Sequence, residues 1–362
     1  MLTPEALHLT KNGGFKSNLG PHVGKELNQQ ERRKERLDRG IKVRTEGLYS
    51  LTSWREMSYL LVPRMFLILG LFLIPFVLDM YWQRVLCVAG VYALLALSFD
   101  FLAEFVGLVC LGGAFFIGSG GYVAGLLNHN LGWSPFLTIP IATVVGAFIS
   151  TLVLLPCLRL RGIYFAIVSF MFPMLTVFII VALNVFGGTE GITALATFPN
   201  MWVDQYVILG AVIVSLFVMR RLVTEDFGLI LRSIKDNDQA VKASGISITA
   251  YKTKAVFIAA LVGCFGGAYL SHLYGWLGIS QFTMDFSILP IAATVMGGMG
   301  TLVGPVLGAL ILTPMSEALR GFGQLRVVLY CLILIGFIVY KPEGLMNVLQ
   351  RKYHQFEHWE EV

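Results

Sequence analysis

The chain has 362 residues, of which 56% are hydrophobic and 14% charged, with a formal net charge of +5. Soluble domains carry about one quarter charged residues, and the apolar runs here are too long and too many for a soluble surface to hide. Several reach or approach the roughly 20 residues that cross a bilayer as a helix, so the expected fold is an all-α polytopic membrane protein with roughly 8–10 transmembrane or half-spanning helices.

The first 60 residues differ from the rest and hold 11 Lys/Arg against 7 Asp/Glu. The run ELNQQERRKERLDRGIKVR reads as a solvated cytoplasmic tail, with contact to lipid headgroups or to a partner left open. As the n-region of a signal peptide this stretch is far too long, so the first apolar segment is expected to be retained. The expected organisation is a charged extension at 1–62, a transmembrane domain at 63–342 with a cytoplasmic loop at 220–253, and a cytoplasmic tail at 343–362.

Crossings are predicted at Met65–Met80, Val85–Phe101, Phe105–Leu127, Pro135–Leu155, Ile163–Val185, Tyr206–Met219 and Thr253–Leu273. Phe286–Met315 follows, long enough for one tilted span or for a broken pair, and Arg326–Tyr340 is the last. Lys and Arg concentrate on the cytoplasmic side of membrane proteins. The N-terminal run, Arg159–Arg161, the loop from Arg220 to Lys254 and Lys341, Arg351 and Lys352 all fall on one side if the N-terminus is inside and Phe286–Met315 crosses twice. Arg320 and Arg326 then lie outside.

Glycine marks two spans. Gly113, Gly118, Gly120, Gly121 and Gly125 crowd the stretch LGGAFFIGSGGYVAG. In VMGGMGTLVGPVLGALILTP, Gly300, Gly304 and Gly308 recur every four residues, a ridge that lets helix backbones approach closely. The same stretch also reads as a break, because Gly297, Gly298 and Gly300 weaken helix formation and Pro305 lacks an amide donor. Broken backbone at membrane depth is tolerated only against protein or a water-filled route, and transporters place substrate sites at such breaks. Leucine at Gly297 and Gly298 is then expected to stop transport while leaving assembly intact.

Ionisable groups near the membrane are few. Asp100 and Glu104 lie four residues apart near the expected inner surface, where they would line an exit, pair with a cytoplasmic base or face water. Glu317 carries the same ambiguity near the outer end of its span, while Asp285 and Glu190 read as external surface residues. The five cysteines stand singly in apolar segments and the six histidines form no cluster, so no metal site or cofactor is expected. The Walker pattern does not occur: NGGFKS at Asn12–Ser17 lacks the glycine before lysine. No constellation for nucleophilic or metal-assisted catalysis is present either. What remains is a transport permease, a channel or secondary carrier, or a structural membrane subunit.

In the cytoplasmic loop, IKDNDQAVKASG is expected to form a short surface helix from about Asp236 to Ser244. Asp236 and Asp238 suit the positive helix start, and Gly245 fits a left-handed terminating position. Such a helix serves either as a docking element for a soluble partner or as a plain connector.

Four ordered segments carry a resemblance. MGGMGTLVGPVLGALIL at Met296–Leu312 resembles GGxGTxxGPxxGA, and LPCLRLRGIYFAIVSF at Leu155–Phe170 resembles LRLRGxYxAIxTL. GGTEGIT at Gly187–Thr193 and IKDNDQAVKASGI at Ile234–Ile246 are the other two. Together they make the chain similar to permease subunits of branched-chain amino acid ABC importers of the high-affinity LivM type, over roughly residues 85–342. Two departures stand out: Gly107–Tyr122 reads GLVCLGGAFFIGSGGY, with Cys110 and Gly113 where serine and histidine are usual, and Glu104 replaces a small neutral residue. Lys242 also stands where an acid is common.

The resemblance implies a bacterial or archaeal inner-membrane permease without chemistry of its own, part of an ATP-driven importer for leucine-, isoleucine- or valine-like amino acids. Implied partners are a second homologous permease, two cytosolic ATP-binding subunits and an extracytoplasmic substrate-binding protein, with no nucleic acid. Residues assigned to the substrate path are Glu104, Gly113, Gly118, Gly120, Gly188, Thr189, Glu190, Gly297, Gly298, Gly300, Gly304 and Pro305. Asp236, Asp238, Ala240, Lys242 and Gly245 are assigned to coupling with the ATPases. A related permease for urea, short amides or other polar amino acids is the alternative.

Overall fold

The computed structural model describes residues 79–160, 162–323, 325–340 and 344–347. The charged extension, nearly all of the expected crossing Met65–Met80 and most of the tail 343–362 lie outside the described residues. Helix α1, Met80–Asp100, passes directly into a π-helical turn, Phe101–Val106, which Gly107 ends in the left-handed region at φ 74°. Then come α2 (Gly113–Leu131), α3 (Pro135–Leu154), α4 (Ile163–Leu183) and α5 (Met201–Thr224). Two short helices follow, α6 (Asp226–Asp236) and α7 (Asp238–Ala243), before the long α8 (Ile248–Tyr274). A 3-10 turn at Ile279–Phe282 leads into α9 (Asp285–Gly297), α10 (Val303–Ala318) and α11 (Leu325–Tyr340). Among the described residues there is no strand, and a single antiparallel bridge joins Ile192 to Leu277.

This is an all-α polytopic membrane protein. Among the described residues, six stretches are long and apolar enough to cross a bilayer: Met80–Val106, Pro135–Arg159, Ile163–Leu183, Met201–Thr224, Ile248–Tyr274 and Ile279–Gly297. The spans containing α1 and α8 form the centre, with 83% and 67% of their apolar windows buried, whereas the α4 and α5 windows are each 22% buried. Those two helices turn large side chains such as Phe178, Met171 and Phe217 outward, which suits a rim facing lipid or another apolar surface.

Close approach of backbones holds the centre together. In lipid there is little hydrophobic force between helices, so small residues that bring backbones into contact carry the packing. A Cβ at Gly267 of α8 would stand 2.0 Å from the Ile117 carbonyl of α2, and one at Gly120 would stand 2.1 Å from the Cys264 carbonyl of α8. Helix α3 joins through Gly146, whose Cβ position is 3.1 Å from the Gly120 Cα. Hydroxyls add polar contacts: Ser98 of α1 donates to the Ala259 carbonyl of α8 at 3.0 Å, and Thr294 of α9 to the Ala96 carbonyl of α1 at 3.2 Å.

Several boundaries differ from the sequence reading: the helices expected from Val85 and Thr253 start at Met80 and Ile248, and two further differences have a clear physical cause. The crossing expected from Phe105 starts as α2 only at Gly113, because Gly107 stops the preceding turn and residues 107–112 run non-helically. The crossing expected at Tyr206–Met219 extends to Met201–Thr224, because Asp204 and Gln205 are buried inside the helix rather than ending it. The Tyr269 hydroxyl donates to the Asp204 carbonyl at 3.0 Å.

Gly267→Val is expected to lower stability by at least about 1–3 kcal/mol, the usual effect of overpacking. A drop in thermal unfolding temperature in detergent checks this, with Gly210→Ala, at a site whose Cβ would meet nothing within 4 Å, as the neutral comparison.

Candidate functional site

The glycine-rich signature is a helical hairpin with a broken tip. Gly297 ends α9, and Gly298 (φ 109°) and Gly300 (φ 79°) turn the chain in a region open to glycine. The two arms then touch backbone to backbone: a Cβ at Gly297 would lie 1.9 Å from the Gly304 carbonyl, and one at Gly308 would lie 2.0 Å from the Ala293 carbonyl. Of the ridge expected from the spacing, Gly304 and Gly308 therefore pack within the hairpin, whereas Gly300 lies in the turn and faces Glu104. Pro305 does not interrupt a helix; it sits in the first turn of α10, where amides have no intrahelical partner anyway. Thr301 closes the turn, its hydroxyl donating to the Gly298 carbonyl and accepting from the Gly304 amide, each at 2.9 Å.

The tip amides need an acceptor, and Asp100 of α1 supplies it. Its carboxylate is fully buried and accepts from the Gly300 amide at 2.7 Å and the Leu302 amide at 3.3 Å. Leu302 is a non-glycine residue held at φ 59°, a conformation that needs external support. The carboxylate also faces the positive start of α10.

Four residues on, Glu104 points to a different element. Lys235 of α6 donates from Nζ to the Glu104 carboxylate at 2.9 Å and to the Glu104 carbonyl at 2.8 Å. The Arg232 guanidinium lies 5.2 Å from the Phe105 ring centroid, and a Cβ at Gly107 would stand 3.1 Å from the Lys235 Cγ. So α6 is fitted against the π-helical turn. Helices α6 and α7 bury Leu231, Ile234 and Val241 and leave Asp236, Ala240, Lys242 and Gly245 exposed, with Asp238 half-buried. The expected single helix from Asp236 to Ser244 is divided at Asn237, whose side chain caps α7 by accepting from the Gln239 and Ala240 amides at 3.1 Å. Gly245 takes the expected left-handed conformation, at φ 80°.

The glycines of α2 meet a second irregular segment. From Leu277 to Phe286 the chain runs antiparallel along α2. Leu277 lies over Gly125, Gln281 over Gly121, Phe282 over Gly118 and the Phe286 carbonyl over Gly113, each within 2.8 Å of where a Cβ would be. A third non-helical stretch, residues 107–112, reaches the start of α2 from the other side. There the Leu111 amide donates to Ser169 Oγ at 3.0 Å and the Ala114 amide to Ser287 Oγ at 3.1 Å. The Gly113–Phe286 contact is about 22 Å along α2 from Asn128, at about 1.5 Å per residue. It is about 18 Å along α9 from the hairpin tip. Asp285 is exposed at this level.

Gly188, Thr189 and Glu190 stand apart from all of this. They form a turn at the far end, Gly188 buried and the other two exposed, pinned by the Ile192–Leu277 bridge. His272, buried in α8, holds the same loop through the Ala196 carbonyl and Thr138 of α3, each at 2.7 Å. The structure thus brings Glu104 to the hairpin tip, 3.8 Å from the Cβ position of Gly300, and sets Gly113, Gly118 and Gly120 along α2. Lys235, Asn237, Ser169 and Ser287 were not singled out from the sequence. The Asn–x–x spacing before Ala240 was a capping signal for Asn237, whereas nothing local marks the others.

Residues 81–339 match the family model described as branched-chain amino acid transport system / permease component. The chain belongs to this family. A high-affinity branched-chain amino acid transport system permease protein LivM from Salmonella typhimurium is 26% identical over 303 residues, 75% of this chain and 71% of that protein. A probable LivM permease from Methanocaldococcus jannaschii is 24% identical over 65% of this chain and 76% of its own length. The nucleoside ABC transporter permease protein NupC of Lactococcus lactis is 26% identical over 49% of this chain and 61% of its own length. This chain is therefore an ABC permease, and the family's glycine–proline signature is the hairpin tip held by Asp100.

Space at Gly297 changes what a substitution there does. Leucine cannot enter without separating the hairpin arms, so the loss of transport expected from Gly297→Leu comes with loss of the folded tip. Asp100→Ala removes the acceptor of both amides, one on the buried Leu302 and one on the exposed Gly300, and is expected to destabilise by about 1–3 kcal/mol. Faster hydrogen exchange at Gly300 and Leu302 than in the wild type checks this locally, and Asp100→Asn, which keeps one acceptor oxygen, is expected to fall between.

Proposed function

We propose that this chain is the translocation subunit of an ATP-driven importer for branched-chain amino acids. The observation that carries the reading is the irregular backbone that interrupts the bundle at three places, residues 107–112, 277–284 and 298–302. Such backbone is stable in a bilayer only where protein or a water-filled route covers it, and helix breaks of this kind supply polar groups to a solute without a fixed charge at every step. The relatives named LivM direct the substrate class toward leucine, isoleucine and valine.

In this reading residues 63–342 form the permease domain of a multi-pass protein of the cytoplasmic membrane, with both termini inside. The chain performs no catalysis. Two cytosolic ATP-binding subunits bind the exposed face of α6–α7, around Asp236, Asp238, Ala240, Lys242 and Gly245 within the loop 220–253. A second homologous permease completes the path, and an extracytoplasmic binding protein delivers substrate to the end carrying Gly188, Thr189 and Glu190. The glycines at 113, 118, 120, 297, 298, 300 and 304, with Pro305, shape the path wall by letting backbone segments lie against one another. Asp285 is the polar group of that wall, because a carboxylate held partway through a bilayer is costly unless it faces water or a polar partner.

A broader substrate range is favoured by the relative named for nucleosides. The purified complex, reconstituted with its native partners and binding protein, separates the two. Leucine, isoleucine and valine are expected to stimulate ATP hydrolysis, whereas stimulation by a nucleoside, urea, acetamide or a polar amino acid alone assigns the other substrate class. Asp285→Leu is expected to lower leucine uptake by about tenfold, equivalent to about 1.4 kcal/mol at the limiting step, with the complex still assembled. Uptake at the wild-type level removes Asp285 from the path.

A further inference from the structure

Asp100 and Glu104 stand four residues apart but hold two different parts of the molecule. Asp100 holds the hairpin tip through the Gly300 and Leu302 amides, and Glu104 holds α6 through Lys235. Between them lies a π-helical turn, Phe101–Val106.

We infer that this turn is the joint that links α6–α7 to the α9–α10 tip, with the Lys235–Glu104 pair as its input contact and the buried Asp100 as its output contact. This rests on the importer reading, in which the ATP-binding subunits move α6–α7. The input side is built for mechanical contact. Lys235 bonds both the side chain and the main chain of Glu104, Arg232 covers Phe105, and Gly107 leaves room for the Lys235 stem. Displacing α6 therefore pulls on the turn at three successive places. The output side is stiff, because a fully buried carboxylate bonded to two amides has no water to exchange them for. A π turn is a common local variation at functional positions, and passing one residue between π and α winding rotates the adjoining chain by about 100°. Motion at Glu104 thus becomes rotation at Asp100, and Asp100 carries the Gly300–Leu302 segment with it. Lys235 and Glu104 act here as positioning residues, since neither needs to touch substrate or nucleotide.

The pair is suited to testing because both side chains are partly exposed, 37% for Lys235 and 30% for Glu104, so removing it does not bury an unpaired charge. The measurement is the number of leucine molecules imported per ATP hydrolysed by the reconstituted complex with its binding protein. Glu104→Gln and Lys235→Gln are each expected to lower that ratio by at least about fivefold, the low end of coupling between distant sites. The charge-reversed double variant, Glu104→Lys with Lys235→Glu, is expected to recover most of the loss. A merely structural role lowers the yield of complex and leaves the ratio unchanged, and that outcome overturns the inference. So does a double variant no better coupled than the singles. If leucine fails to stimulate hydrolysis by the wild-type complex, the importer reading itself falls, a result distinct from a wild type that couples and variants that couple equally well.

Discussion

A buried carboxylate that accepts hydrogen bonds from a broken helix is the contact on which this structure depends. The stretch after Gly297 cannot stay helical, and a bilayer offers no water to satisfy its amides. Asp100 solves both problems from outside the hairpin: it bonds the Gly300 and Leu302 amides and places negative charge at the start of α10. Because α1 is the most enclosed of the spanning segments, the hairpin is tied to the centre of the bundle and not to its rim. Removing the side chain would take away the acceptor of both tip amides, including that of the buried Leu302.

Glycine then makes the rest of the architecture possible. An irregular segment at membrane depth must lie flush against a neighbour, and a helix bearing side chains on that face would hold it away. Helix α2 presents Gly113, Gly118, Gly121 and Gly125 to the descending segment and Gly120 to α8, so both contacts close. The departure at Gly113, where the family usually has histidine, follows from the same requirement: the Phe286 carbonyl occupies the space a side chain would need. The departure at Glu104 has a different physical sense. Its carboxylate is bound to Lys235, which ties it to α6.

The two ends of the molecule are organised differently. At one end a soluble-looking pair of short helices is fastened to the bundle by an ion pair, a cation–aromatic contact and three buried aliphatic residues. At the other, a glycine-rich loop is held by backbone pairing and by a buried histidine.

Sequence alone determined the class of the protein, most of its helices and a short surface helix before Gly245, while for 286–315 it left one tilted span and a broken pair both open. Each of these follows from local chemistry: apolar run length, glycine and proline conformational limits, and capping residues act over a few neighbours. It did not show where the breaks would be satisfied. Asp100 and Glu104 were visible as a pair on one face, yet their partners lie about 130 and 200 residues away, and no local pattern encodes such a contact. Tertiary structure decided these points because an amide or a carboxylate in a bilayer must find its partner wherever the packed chain brings one within reach.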